Sequence, residues 1–183
     1  MVEHDLVIAA MRYAADLHAD TFRPDSKRTP FITHLSEVAT LVAGAGGGAA
    51  EIAAAWLHDG IEDGLTTVED ITARFGGEVA ALVVAVTDPV PLRQESIRER
   101  KDHQAVRLST APAAARRIKL AEQISILRAL AVERPLSWTV DRSINYVAGA
   151  DQVAAVCHGA SPLLDAEFAT AYALAHASLP MSS

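Results

Sequence analysis

One feature constrains this chain more than any other: an apolar helix that runs straight into four ionisable residues. Ile52 to Leu57 are apolar almost all round, and His58, Asp59, Glu62 and Asp63 follow directly. A helix without a polar face has to be buried. If the helix continues to residue 61, His58 and Glu62 share one ridge and Asp59 and Asp63 the next. Buried imidazole and carboxylate groups are costly unless something compensates them, and a divalent metal ion does so. A solvated helix end is the rival reading, and a lone Glu-Asp pair would favour it. The His-Asp pair at the end of an apolar run favours the metal.

The chain has 183 residues, half of them hydrophobic, which is enough for one well-formed core. Alanine is abundant, aromatic residues are few and strand-like alternation is scarce. These features predict a single all-α domain, over residues 1–183, of about eight to ten helices. No apolar run is long enough to cross a membrane. Glu3, His4 and Asp5 stand where a secretory leader would be basic, and the single Cys157 excludes an internal disulfide framework. A cytoplasmic protein with Cys157 in its core is expected.

The net charge of −7 argues against a nucleic-acid polymer as partner. The charge is also uneven. Residues 93–119 hold eight of the 16 Lys and Arg, whereas residues 51–70 hold six acids and neither Lys nor Arg. A cation-binding pole beside an anion-binding pole suits a metal-dependent enzyme acting on a phosphorylated small molecule. A solvated basic helix explains the second pole equally well.

In chain order, residues 5–20 read as an amphipathic helix ending near His18, and residues 21–31 as a loop with two prolines. That loop concentrates Arg23, Lys27 and Arg28. A helix over 33–43 carries His34 in its first turn, and the central helix spans 49–61. Thr66 with Glu69 predicts a capping box for a helix over 67–75. Further helices are expected over 78–87, 94–109, 112–132, 136–158 and 162–178, with a rigid turn at Asp88-Pro-Val-Pro91. Glu122 and Arg128 interrupt the apolar stripe of the 112–132 helix. Trp138, Arg142 and Tyr146 recur every fourth residue in the next one, as a packing ridge or as a binding face with Arg142 open to an anion.

Taken together, Thr29-Pro-Phe-Ile-Thr-His34, Ala54-Ala-Trp-Leu-His-Asp-Gly-Ile-Glu-Asp63, Thr67-Val-Glu-Asp-Ile-Thr-Ala-Arg-Phe-Gly76 and Val84-Ala-Val-Thr-Asp88 form a series. It continues through Glu99-Arg-Lys101, Ile118-Lys-Leu-Ala-Glu122 and Trp138-x-x-x-Arg142-x-x-x-Tyr146. In order and spacing the series resembles the HD-domain metal-dependent phosphohydrolases over residues 8–158. Within them it is most similar to the RelA/SpoT hydrolase domains and their free-standing small alarmone hydrolases, including the metazoan SpoT homologue.

The resemblance implies an HD-type helical bundle that uses a divalent ion, usually Mn²⁺, to remove the 3′-diphosphate of guanosine tetra- and pentaphosphate (ppGpp and pppGpp). It implies His34, His58, Asp59 and Glu122 as metal ligands and Glu62 and Asp63 as the catalytic acids. The substrate side comprises Arg23, Lys27, Arg28, Arg142 and Tyr146.

Three positions depart from the family. Glu122 stands where an aspartate is usual, Ile126 replaces an asparagine that contacts substrate, and Pro24 replaces a lysine. The departures keep two alternatives open. One is the same machinery acting on another phosphorylated nucleotide such as NADPH. The other is a degenerate domain that binds a nucleotide or protein without chemistry. A homodimer is compatible with either and required by neither.

Overall fold

The computed structural model describes residues 3–89 and 95–180. Among the described residues there are nine helices and no strand beyond one isolated bridge, Phe22 with Pro30, across the first loop. The helices are α1 (Glu3–Leu17), α2 (Ile32–Gly44), α3 (Ala49–Leu57), α4 (Val68–Phe75), α5 (Gly77–Val86), α6 (Ile97–Ser109), α7 (Ala113–Val132), α8 (Val140–Cys157) and α9 (Pro162–Ser178). None is long and apolar enough to cross a membrane. Pro91 of the expected turn, Arg93 and the expected first residue of the 94–109 helix lie outside the described residues.

Helix α7 is the axis of the bundle. It packs against α2, α3, α5, α8 and α9, so it is enclosed on several sides rather than along one stripe. That is why Lys119, Glu122, Gln123 and Ser125 are buried beside Ile118, Ile124 and Leu127. These polar side chains must find partners inside the protein. They do so in and behind the walls of the cavity described below.

Four local boundaries differ from expectation for identifiable reasons. Helix α3 stops at Leu57, and His58 to Gly64 form turns closed by Gly64 at φ 72°. The cap of α4 is Thr67, whose hydroxyl accepts from the Asp70 amide at 3.1 Å. Thr66 is instead buried against the Tyr13 hydroxyl at 2.9 Å. The reciprocal capping box lies at Ser96 and Glu99 and starts α6. Helix α8 begins only at Val140, capped by Thr139, so Trp138 precedes it.

Candidate active site

The turn that ends α3 puts His58 and Asp59 against the first turn of α2. His34 Nε2 lies 3.5 Å and His58 Nε2 3.2 Å from the same oxygen, Asp59 Oδ2. One ligand atom from each of His34, His58 and Asp59 falls within 4.8 Å of the others. Both imidazoles are buried. His58 Nδ1 donates to the Ala55 carbonyl at 2.7 Å, so the lone pair of the neutral ring sits on Nε2. That Nε2 is buried and makes no hydrogen bond.

Burial alone would lower the His58 pKa, but the Asp59 charge overrides it and holds the ring at about 9. Burial would raise Asp59, and the two imidazoles instead hold it well below the usual carboxylate range. Such a group attracts positive charge, and two imidazole nitrogens with one carboxylate oxygen suit a borderline divalent ion. The residues present therefore fit the metal that this fold implies.

Glu62 takes another direction. Because α3 ends at Leu57, the ridge expected to join His58 and Glu62 does not form. Glu62 Oε1 accepts from Arg100 Nη2 at 2.9 Å, and Oε2 accepts from the Asp88 amide at 3.2 Å. Burial raises its pKa. Asp63 is more exposed, with Oδ2 4.0 Å from His18 Nδ1. Glu122 Oε2 sits 2.7 Å from Lys119 Nζ, and Gln123 Nε2 donates to Oε1 at 3.2 Å. The Glu122 carboxylate is thus held by α7 itself and is not part of the three-residue group.

Asp59, Glu62, Glu122 and His34 line a cavity with two main lobes, and His58 and Asp63 border neither. A polar lobe of about 160 Å³ is bordered by Asp59, Glu62, Arg100, Lys119, Glu122 and Arg142, with Lys101 and Tyr146 behind them. An apolar lobe of about 200 Å³ is walled by Pro24, Phe31, Ile126, Pro135 and Trp138, with Arg23 and His34 at its margin. Asp59, Glu122, Ile126 and Trp138 border both lobes. Arg23 and Lys27 also line an outer recess with Glu133. Arg28 takes a left-handed conformation, φ 53°, and stacks its guanidinium 4.4 Å above Phe22. It borders none of these spaces. Arg142 stacks 5.1 Å over Trp138, whose ring lies 5.1 Å from that of Tyr146, so the ridge expected here is also a cavity wall.

Arg100, Lys101 and Lys119 of the basic half of the polar lobe come from the cation-rich stretch expected to bind an anion, and what the sequence does not show is how that stretch pairs with Asp88. Asp88 is fully buried, and against the effect of burial the Lys119 charge, with the bonds it accepts from Arg107, Gln104 and Arg100, holds its pKa at about 2. Lys101 is buried between Gln123 and the Tyr146 ring, 4.3 Å from the ring centre, and burial pushes its pKa down to about 7. The available signals were Asp88 ending an apolar run and Arg100, Gln104 and Arg107 recurring at helical spacing.

An all-helical bundle that presents a histidine from one helix, and a histidine and an aspartate from the turn ending the next, beside a cationic pocket has the architecture of a metal-dependent phosphohydrolase. A family model described as an HD domain matches residues 10–147. The chain belongs to the HD-domain family. Among curated proteins it is 33% identical over 162 residues to guanosine-3′,5′-bis(diphosphate) 3′-pyrophosphohydrolase MESH1 of Xenopus tropicalis, covering 87% of this chain and 89% of that one. It is 34% identical to MESH1 of Drosophila melanogaster, covering 78% and 79%. A solved structure of a metazoan orthologue of SpoT that hydrolyses ppGpp superimposes with a TM-score of 0.85 at 30% identity, over 92% of this chain and 94% of that one.

Proposed function

We propose that the protein hydrolyses guanosine 3′,5′-bis(diphosphate), ppGpp or pppGpp, and releases the 3′-diphosphate as pyrophosphate. The carrying observation is the His34, His58 and Asp59 group at the junction of a cationic lobe and an apolar one. The match to the MESH1 proteins along most of their length supports the same substrate. We assign the metal to these three residues, with Glu122 beside them, and Mn²⁺ as the ion. When bound, such an ion supplies a Lewis-acidic charge and lowers the pKa of water.

The remaining work falls to the chain's own side chains. Glu62 and Asp63 handle the proton of the attacking water and the proton that the leaving 3′-oxygen requires. Arg100, Lys101, Lys119 and Arg142 place positive charge around the diphosphate. Arg23, with Lys27 further out, takes the 5′-phosphates. The base lies between Pro24, Phe31, Ile126 and Trp138, and Tyr146 supports the Trp138 wall. The single, buried Cys157 suits a reducing cytoplasm.

A second reading has a specific observation behind it. Ile126, Pro24, Phe31 and Pro135 offer the base no side-chain hydrogen bond. That favours tolerance of another phosphorylated nucleotide, NADPH included. Asp59→Ala and Glu62→Ala test the mechanism common to both readings. Each is expected to abolish turnover, and Asp59→Ala also to lose the metal. Full activity in either variant rejects the mechanism.

A further inference from the structure

We infer that Glu37 and Ser125 form a positioning relay that sets which ring nitrogen of His34 carries the proton. The relay readies His34 to bind the metal ion, and to that extent the inference rests on the ligand role assigned above. Neither residue falls in the motif series quoted above. Glu37 lies one turn after His34 on α2, and Ser125 lies on α7.

Ser125 Oγ is buried between two partners, His34 Nδ1 at 2.9 Å and Glu37 Oε2 at 2.6 Å. A hydroxyl has a single proton to give. The other Glu37 oxygen accepts from Arg128 Nη1 at 2.9 Å. Burial would raise the Glu37 pKa, but the bonds from Ser125 and Arg128 lower it. Glu37 is therefore an ionised carboxylate that can only accept. The Ser125 proton has to point at Glu37, and Ser125 Oγ then offers only lone pairs to His34. His34 Nδ1 must carry the proton, which leaves the lone pair on Nε2, the nitrogen 3.5 Å from Asp59 Oδ2.

In their neutral forms the two histidines thus reach the same tautomer by different devices. His58 is fixed by the Ala55 backbone carbonyl, which no substitution removes. His34 is fixed by side chains, which can be changed one at a time. Arg128 anchors the relay from outside, because its other nitrogen bonds Glu167 on α9. A line of polar contacts therefore runs from α9 through α2 and α7 to the metal group.

Glu37→Gln is the decisive variant. Arg128 only donates, so it claims the new amide oxygen and turns the amide NH₂ toward Ser125. The Ser125 hydroxyl must then donate to His34 Nδ1, and the His34 proton moves to Nε2. The readouts are the ¹⁵N shifts of the His34 ring in metal-stripped, histidine-labelled protein and Mn²⁺ affinity by titration. We expect a proton on Nδ1 in the unmodified chain and on Nε2 in Glu37→Gln, with Mn²⁺ binding about tenfold to a hundredfold weaker. Ser125→Ala should weaken binding on the same scale, and Ser125→Thr, which keeps the hydroxyl, should restore it to within about threefold.

Thermal melts of the metal-free proteins separate these effects from loss of fold. If Glu37→Gln does not fold, Ser125→Ala against Ser125→Thr decides. An unchanged tautomer and affinity in the variants overturns the relay, as does Nε2 protonation in the unmodified chain. A chain that binds no Mn²⁺ yet switches tautomer in Glu37→Gln keeps the relay and rejects the metal assignment.

Discussion

The Glu62 carboxylate lies 2.9 Å from the Arg100 guanidinium, and the same nitrogen of Arg100 donates to Asp88 at 3.0 Å. The proposed catalytic acid is therefore positioned from α6 through a buried aspartate, not by the helix that leads to it. Replacing Arg100 by Met should leave Mn²⁺ affinity within about threefold, because Arg100 bonds Glu62 and Asp88 rather than His34, His58 or Asp59. It should lower kcat by about a hundredfold, on the scale of a misplaced acid–base group. Parallel metal titration and steady-state kinetics check the split.

Asp88 also makes stability depend on pH. Its folded pKa is about 2, against an ordinary value of 3.8. A lowered carboxylate pKa stabilises the fold above the ordinary value and loses that contribution as pH falls toward the folded one. Between pH 4 and pH 2 the chain should lose about 2 kcal/mol through this group. Asp88→Asn should lack that part of the slope and be less stable by a similar amount at neutral pH. Urea unfolding at several pH values gives both numbers.

Gly149 is where α8 meets Lys101 of α6. A Cβ there would sit 2.5 Å from Lys101 Cγ and 2.8 Å from its Cβ, near the backbone rather than at a flexible tip. Gly149→Ala should therefore destabilise the protein by about 1–3 kcal/mol, as overpacking does. It should also disturb the Lys101 contact with Tyr146. Equilibrium unfolding and intrinsic tyrosine fluorescence report the two effects.

Ile126 faces both lobes of the cavity. Ile126→Asn places a donor and an acceptor beside the base and should raise selectivity for guanosine tetraphosphate over NADPH by about tenfold or more. The ratio of the two kcat/KM values, before and after substitution, measures it. An unchanged ratio would mean that the base does not lie in the apolar lobe.

The parts of the site that were legible in the chain are the local ones. His58 and Asp59 are adjacent and follow a fully apolar helix, so their burial is written in the pattern around them. His34 is tied to them through the motif series. The all-helical class follows from periodicity, and nine described helices fall within the expected number. What periodicity could not supply was where a helix stops. Ending α3 at Leu57 swings Glu62 from the His58 ridge to Arg100, and starting α8 at Val140 leaves Trp138 on the loop side of the cavity wall. The Thr66 and Thr67 slip has the same origin, since either threonine suits a cap and only the Tyr13 contact separates them. Asp88 and Lys101 stand in the motif series without a role, and Ser125 and Glu37 outside it, because the partners that define their roles lie on other elements. Glu122 was visible as an acid on α7, but not its ion pair with Lys119 one turn earlier.

The most direct test of the central claim is release of pyrophosphate from guanosine tetraphosphate by metal-stripped protein, with and without added Mn²⁺. The account predicts release only when the ion is supplied, and none from Asp59→Ala under either condition. Absence of release by protein that demonstrably holds Mn²⁺ would contradict the alarmone assignment. Release that persists without any metal would contradict the role given to His34, His58 and Asp59.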